Sequence, residues 1–294
     1  VGGSMIGSKK NNILWICLFL LPSLIGFLVF IIYPVFYSLG VSFTDWDLIN
    51  PMKFIGLRNY QTLLADPKFW NSLKNTFLFI LGYLPSVMIL GLAVALLLNG
   101  KLRLKPFFRG VYFLPVVTSW VAVSLVWKWL FNPKFGLINY FLSLVGVHGP
   151  NWLNDPKVAM LAIIITSVWK DIGFIMVLYL GGLQNISPSL YEAANIDGAD
   201  KWHQFWRITL PMLKPTTFFV SMISLINSFQ VFDQVNIMTE GGPGDATTVL
   251  VQNIYNSAFK YSEMGYAAAM SWILFLIILV VSLVQMWGER KLTK

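Results

Sequence analysis

The sequence predicts an all-α protein, a polytopic membrane helical bundle with six transmembrane helices. Three observations carry that prediction: 56% of the 294 residues are hydrophobic, only 12% are charged, and long charge-free gaps recur along the chain. Ordinary soluble domains hold about 25% charged residues. Together with a mean hydropathy of +0.67, this composition excludes a disordered chain, a collagenous repeat and a typical cytosolic enzyme. The single cysteine, Cys17, leaves no intrachain disulfide framework or cysteine metal cluster.

The charge-free gaps place the spans in order. Lys10 and Asp45 enclose 34 uncharged residues, Lys74 and Lys101 enclose 26, and Arg109 and Lys128 enclose 18. The run from Lys157 to Glu192 is broken only by Lys170 and Asp171, 18 uncharged residues separate Lys214 from Asp233, and 25 separate Glu263 from Glu289. A helix rising 1.5 Å per residue crosses about 30 Å of hydrocarbon within such lengths. Spans are therefore expected at 13–38, 75–99, 108–131, 158–183, 216–238 and 265–287. Helices follow because a lipid-exposed backbone must satisfy its own hydrogen bonds, and the short alternating segments of a transmembrane barrel are not seen. The first span is too long for the apolar core of a cleaved signal, and no small-x-small cleavage site follows it.

Lys and Arg counts set the expected orientation. With both termini in the cytoplasm (tails 1–12 and 288–294 flanking a 13–287 membrane domain), the inner segments carry a net +8 and the outer segments +1. The loop holding Lys101, Arg103, Lys105 and Arg109 contributes most to that bias. The basic balance is thus a topology signal. A nucleic-acid partner is not expected, since the bases are scattered over four loops instead of lining one groove.

The outer segments 44–74 and 132–157 are rich in Trp, Asn, Pro and Asp. Short interfacial helices fit Asn59–Leu64 and Leu137–Leu144, with Trp46, Trp70 and Trp152 at headgroup depth. The segment after Glu240 opens on Gly241-Gly242-Pro243-Gly244, a strong turn, and Gly265-Tyr266-Ala267-Ala268-Ala269 would let the last helix pack closely. On the inner side, residues 187–211 predict a surface helix–turn–helix. Ser189 with Glu192 fits a capping box and Pro188 a first helical turn. Gly198 suits the end of the first helix, and Pro211 the stop of a second helix over Lys201–Leu210. Spacing alone leaves two readings open, an amphipathic connector or a rigid knob for a cytoplasmic partner.

Glu192-Ala193-Ala194, then Gly198, then Ile208-x-Leu210-Pro211 resembles the EAA signature of binding-protein-dependent ABC importer permeases, with every fixed position and spacing matched. The resemblance runs over nearly the whole chain. Phe54-Ile-Gly-Leu-Arg-Asn-Tyr60, Asn75-Thr76, Gly136-Leu-Ile-Asn139, Phe232-Asp233, Thr239-Glu-Gly-Gly-Pro243 and Gly265-Tyr-Ala-Ala268 are similar to carbohydrate-uptake permeases of the maltose and glycerol-3-phosphate type. The Gly288-Glu-Arg-Lys291 tail looks like that of the first of the two dissimilar permeases in such systems.

The resemblance implies a type I importer permease in a bacterial cytoplasmic membrane. It would move an oligosaccharide or related polyol, paired as a heterodimer with a second homologous permease. It further implies two cytoplasmic ATP-binding-cassette subunits and an extracytoplasmic solute-binding protein. Loop 187–211 would be the coupling element, with Glu192, Ala193, Ala194, Asp197 and Gly198 entering a cleft of the ATPase. The chain has no G-x-x-x-x-G-K-[ST] loop to cradle phosphates. It is therefore expected to be no enzyme and to hold no cofactor itself, with ATP and Mg bound by the partner ATPase.

Charges inside a span usually face a cavity or a partner. Asp171 and Phe174 share a face at i,i+3, and Ser224, Asn227 and Ser228 form a polar stripe on span five. These five residues are expected to line a translocation site near the midplane, where a sugar needs carboxylate and amide partners and an aromatic face. The alternative is inter-helix hydrogen bonding or a Lys170–Asp ion pair closing a gate, and Asp233 could lie instead at the outer interface. His148 and His203 stand in separate loops, so no metal site is expected. An integral-membrane enzyme would need clustered catalytic groups, and a self-sufficient secondary transporter would show internal repeats; neither is visible.

Overall fold

The computed structural model describes the backbone of residues 9–100 and 103–292 and the side chains of residues 16–100 and 103–289. Lys101 and the side chains of Lys9, Lys10, Arg290, Lys291 and Lys294, all used in the orientation argument, lie outside the described residues. The chain divides into two compact units, one up to Ala65 together with Ser257–Trp272, the other Asp66–Asn256 together with the residues from Ile273 on.

In the first unit, α1 (Lys9–Phe27) passes through a π turn at Leu28–Ile32 into α2 (Tyr33–Ser42). The wide turn sits where Pro34 would press on the carbonyl four residues back, and the Tyr33 N–H reaches Leu28 O instead. Ile16–Ser42 forms one apolar stretch of 27 residues, which continues beyond the predicted end at 38. Strands β1 (Thr44–Asp45) and β2 (Lys53–Phe54) pair antiparallel, Thr44 opposite Phe54, and α3 covers Arg58–Ala65. Asn59 ties this region together, its Nδ2 donating to Ser42 O and Thr44 O, both at 2.9 Å. Gly265 packs there too. A Cβ would stand 1.9 Å from Thr44 O, so the small-residue stretch does give the expected close approach.

In the second unit, α4 (Pro67–Asn99) is 33 residues long, and its start precedes the predicted 75. Asp66 caps it by accepting the Lys68 N–H at 2.9 Å and Pro67 fills the first position, where a missing N–H costs nothing. Helices α5 (Lys105–Val117) and α6 (Trp120–Leu130) follow, then α7 (Leu137–Leu144) and α8 (Ala159–Gln184). The segment after α8 carries α9 (Pro188–Ile196), α10 (Lys201–Gln204), a π turn at Phe205–Thr209 and α11 (Leu210–Met212). Beyond it lie α12 (Lys214–Phe229), α13 (Asp233–Met238) and α14 (Leu250–Tyr255). The last helix, α15 (Met264–Leu292), begins in the first unit and ends in the second.

The core of the second unit lies along α4 and α8, where Phe79, Val87, Ile163, Ile175, Met176 and Tyr179 are buried together. Gly91 permits the approach, since a Cβ there would meet Ile175 Cγ2 at 2.5 Å. Small residues at such crossings let membrane helices gain van der Waals contact that lipid cannot supply. The loop 240–249 is fastened to α4 by side chains from the Asn75-Thr76 pair: Asn75 Nδ2 donates to Asp245 O at 2.9 Å, and Thr76 Oγ1 accepts the Leu250 N–H at 2.9 Å.

Four helices are long and apolar enough to cross a membrane, and two further bent pairs bring the total to six if each pair is one span. The third span differs from the uninterrupted 108–131 predicted. It is bent by 99° between Val117 and Trp120. Pro115 withholds one N–H, Thr118 turns extended and gives both its N–H and its Oγ1 to Pro115 O, at 3.3 and 2.6 Å. Ser119 then caps a new helix by accepting the Val121 N–H at 3.2 Å. The fifth span stops at Phe229 instead of reaching 238. Residues 230–232 leave the helix, and Asp233–Met238 is a separate short helix.

Candidate functional site

Two regions of the second unit carry the residues singled out from the sequence. The first is the helix–turn–helix over residues 187–212. Ser187 is the N-cap residue of α9 and Pro188 its first position, so Ser189 is not the cap; its Oγ lies 2.7 Å from Ser187 Oγ, and the predicted Ser189–Glu192 capping box does not form. Pro188 decides this, because its ring presets the helical φ one residue earlier. Gly198 ends the helix in the left-handed region, φ +76°. The Gly198 N–H reaches Asn195 O and the Ala199 N–H reaches Ala194 O at 2.8 Å, satisfying carbonyls the helix leaves open.

The second arm does not stop at Pro211. The π turn at Phe205–Thr209 widens the helix, the Leu210 N–H bonds Phe205 O, and the helix accommodates the proline and runs on to Met212. Asp200 caps this arm, accepting the His203 N–H at 2.8 Å, while His203 Nδ1 lies 2.7 Å from the same oxygen. These two bonds hold the Asp200 carboxyl below the usual aspartate range. His203 is thus a hydrogen-bonded partner of Asp200, where the sequence offered only a lone histidine. Groups of three or more His, Cys, Asp or Glu fit to hold a metal are absent among the described residues.

The two arms are cross-tied. Tyr191 Oη lies 2.9 Å from Thr209 Oγ1, and Gln204 Nε2 donates to Asn195 Oδ1 at 2.6 Å and to Ala199 O at 2.9 Å. The resulting knuckle leaves Glu192, Ala193, Asp197 and Gly198 exposed and Ala194 half-buried. Ile196, on the same knuckle, is 88% exposed, an apolar tip beside two carboxylates. Trp202, Phe205 and Trp206 form a ring cluster with centroids 5.2–6.5 Å apart.

The second region is a cavity of about 450 Å³ lined by Phe79, Tyr83, Trp120, Asp171, Asn227 and Ser228 together with residues 230–234. The structure brings three of the five predicted pathway residues, Asp171, Asn227 and Ser228, to this one space. Phe174 packs against the apolar core. Ser224 is buried behind Ser228, whose Oγ donates to its carbonyl, and its own Oγ has no hydrogen-bond partner among the described residues. Asp233, for which the sequence left two placements, lines the cavity.

Several lining residues escaped the sequence reading. Tyr83 donates its hydroxyl to Asp171 Oδ2 at 2.8 Å and stacks on Phe79 with centroids 5.3 Å apart at 10°. Gln230 and Phe232 enter through the break after Phe229, and Trp120 through the break after Val117. The one available signal was a hydroxyl-bearing aromatic, Tyr83, in the middle of an apolar span. Lys170 is not paired with a carboxylate as the gate alternative held. Its Nζ donates to Val116 O at 3.2 Å and sits 4.7 Å from the centre of the Trp120 ring.

The family described as "Binding-protein-dependent transport system inner membrane component" matches residues 87–294. The lactose transport system permease protein of Rhizobium radiobacter is 39% identical over 281 residues, covering 93% of each chain. The trehalose/maltose transport system permease protein of Thermococcus litoralis is 38% identical over 271 residues, covering 91% of this chain and 90% of that one. Among solved structures, a chain of a bacterial alginate ABC transporter, crystallised with an alginate pentasaccharide-bound periplasmic protein, superposes with a TM-score of 0.85. It is 26% identical, covering 97% of this chain and 96% of that one.

Proposed function

Because this chain belongs to the family of binding-protein-dependent transport system inner membrane components, we propose that it conducts a carbohydrate, an oligosaccharide or related polyol, as one permease of an ATP-binding-cassette importer. The observation that carries the proposal is the cavity. Within an apolar bundle it gathers carboxylates at Asp171 and Asp233, amides at Asn227, Gln230 and Gln234, and the rings of Phe79, Tyr83, Trp120 and Phe232. Hydroxyl groups call for acceptors and donors, and a sugar's C–H face calls for an aromatic wall. At about 450 Å³ the space lies in the range of small-molecule sites. The sugar systems named for the relatives above support the same class of cargo.

The knuckle supplies the coupling in this proposal. Glu192, Asp197 and the Ile196 tip offer polar and apolar contacts to a separate cytoplasmic ATPase, which would bind the ATP and Mg. Gly198 shapes the turn, and the ties from Tyr191 and Gln204 make the arms move as one body. A second homologous permease, two ATPase subunits and an extracytoplasmic binding protein complete the assembly, with both termini of this chain in the cytoplasm. A self-sufficient secondary transporter is not favoured by the family to which the chain belongs.

Membrane vesicles holding the complete transport system test the reading, with radiolabelled lactose, maltose and trehalose as probes. Import of at least one sugar should require ATP, the binding protein and this chain together. Import by this chain alone on an ion gradient would overturn it.

A further inference from the structure

We propose that Lys170 is a positioning residue that holds the Trp120 ring as the aromatic wall of the cavity. This inference rests on the reading of that cavity as a sugar site. The observations behind it concern the break between α5 and α6. A helix that ends leaves its last carbonyls without intrahelical partners, and α5 ends at Val117, in the middle of the third span. Lys170, on α8 and only 5% exposed, donates its Nζ to one of those carbonyls, Val116 O, at 3.2 Å. A cation there also meets the negative end of the helix dipole. The same ammonium stands 4.7 Å from the centre of the Trp120 indole, the first residue of α6. One cation therefore grips both sides of the break.

The approach that allows this grip is built into α8. Gly173, three residues from Lys170 and so on the same face, lies against α5 so closely that a Cβ would stand 1.9 Å from Tyr112 O. The two contacts, one through a missing side chain and one through a long charged one, fix α5 along a turn of α8. Asp171 points about 100° away around the helix, lines the cavity and takes the Tyr83 hydroxyl. Lys170 is not among the lining residues, whereas Trp120 is. The lysine thus does not face a sugar directly: it acts through the ring it holds, beside its Coulombic attraction to the neighbouring Asp171. Trp120→Leu separates the two because it leaves that charge in place. An arginine could keep both contacts, since a guanidinium also lies over aromatic faces and donates to carbonyls. A methionine of similar length could keep neither.

The test uses the assembled transporter in which this chain's 12 tryptophans are replaced by 5-fluorotryptophan, and Trp120→Phe identifies the fluorine resonance of residue 120. That resonance should be single and narrow in the unaltered protein and in Lys170→Arg, and shifted or broadened in Lys170→Met. Uptake of lactose, maltose and trehalose should show a half-saturation concentration raised roughly three- to tenfold in Lys170→Met, as expected for a lost cation–π anchor. The maximal rate should be unchanged and Lys170→Arg should match the unaltered protein. An unchanged resonance in Lys170→Met overturns the clamp. A moved resonance with unchanged half-saturation overturns the role of the ring as a sugar wall. If Lys170→Met does not accumulate in the membrane, Trp120→Leu, which leaves Lys170 its Val116 carbonyl, must raise half-saturation alike; an unchanged value there also overturns the inference. Should the unaltered transporter import none of the three sugars, the carbohydrate reading fails, and the fluorine resonance still decides the clamp.

Discussion

The knuckle at residues 187–211 is tied by contacts between residues at most 18 apart in sequence, Tyr191 with Thr209 and Gln204 with Asn195 and Ala199. The cavity instead joins Tyr83 to Asp171, 88 residues away, and brings Trp120 and Gln230–Gln234 in through two interrupted spans. The knuckle is therefore a rigid body that one substitution can deform as a whole. The cavity is a meeting of independent elements, each of which contributes a separable increment of binding. Damage to the first should lower the rate of transport, and damage to the second should lower affinity.

Gly198→Val tests that division with the largest effect. Gly198 has φ +76° and open space around its Cα, so the cost is conformational: the left-handed region disfavours an L-residue by roughly 1–2 kcal/mol, and more for a β-branched one. The arms would reorient relative to each other. Maximal sugar uptake should fall at least tenfold while the half-saturation concentration stays near its original value. A wild-type maximal rate would show that the knuckle does not transmit force from the ATPase.

Asp171→Asn probes the other side of the comparison. The substitution keeps the shape and the Tyr83 contact but removes a charged acceptor, and hydrogen bonds to charged groups contribute about 1.5–3 kcal/mol. Half-saturation should rise roughly tenfold or more, with basal ATPase activity of the assembled transporter unchanged. Asn227→Ala should act in the same direction by a smaller factor. If either variant changes the maximal rate and leaves affinity intact, the cavity is part of the coupling path and the proposed separation of roles fails.

The same contrast explains what could be read from the sequence. The fold was legible because lipid forces charge out of long segments, and the gaps around spans one, two, four and six fall on long helices. The knuckle was legible because Pro188, Gly198 and the acid–alanine pattern act locally. Its errors were local as well: Pro188 moved the cap to Ser187, and a π turn let the helix run past Pro211. The breaks were harder. At 117–120 the signal was present in Pro115 and Ser119 but was outweighed by continuous hydropathy. At 230–232 no proline or glycine marks the interruption, since Gln230-Val231-Phe232 is set by tertiary packing. Trp120 and Gln230 could not be assigned to the cavity without those breaks, and the Tyr83–Asp171 pair needed the crossing of α4 and α8.

Gln204→Ala sharpens the comparison within the knuckle. It removes one bond that crosses between the arms, to Asn195 Oδ1, and one that holds the turn, to Ala199 O, each contributing about 0.5–1.5 kcal/mol. Maximal uptake should fall two- to fivefold, less than in Gly198→Val because Tyr191–Thr209 remains. Amide hydrogen exchange over 193–199 should quicken, and a wild-type exchange rate would mean that the arms are not held through this side chain.

The smallest expected effect lies in the Asp200 cap, and its sign follows from linkage. Backbone and side-chain bonds from His203 keep the Asp200 carboxyl below its ordinary range in the folded knuckle. A group depressed in the folded state adds stability that is complete above its unfolded value and is lost as pH falls through the folded one. Titration of Asp200 itself should therefore leave the cap intact down to about pH 5, above the ordinary aspartate value near 3.9, and weaken it only in more acidic solution. Exchange of the His203 amide should quicken below that point in the unaltered chain. In Asp200→Asn, which can still cap but does not titrate, exchange corrected for intrinsic chemistry should be flat with pH. A matching acid-induced rise in both proteins would assign the change to another group and remove Asp200 from the mechanics of the arm.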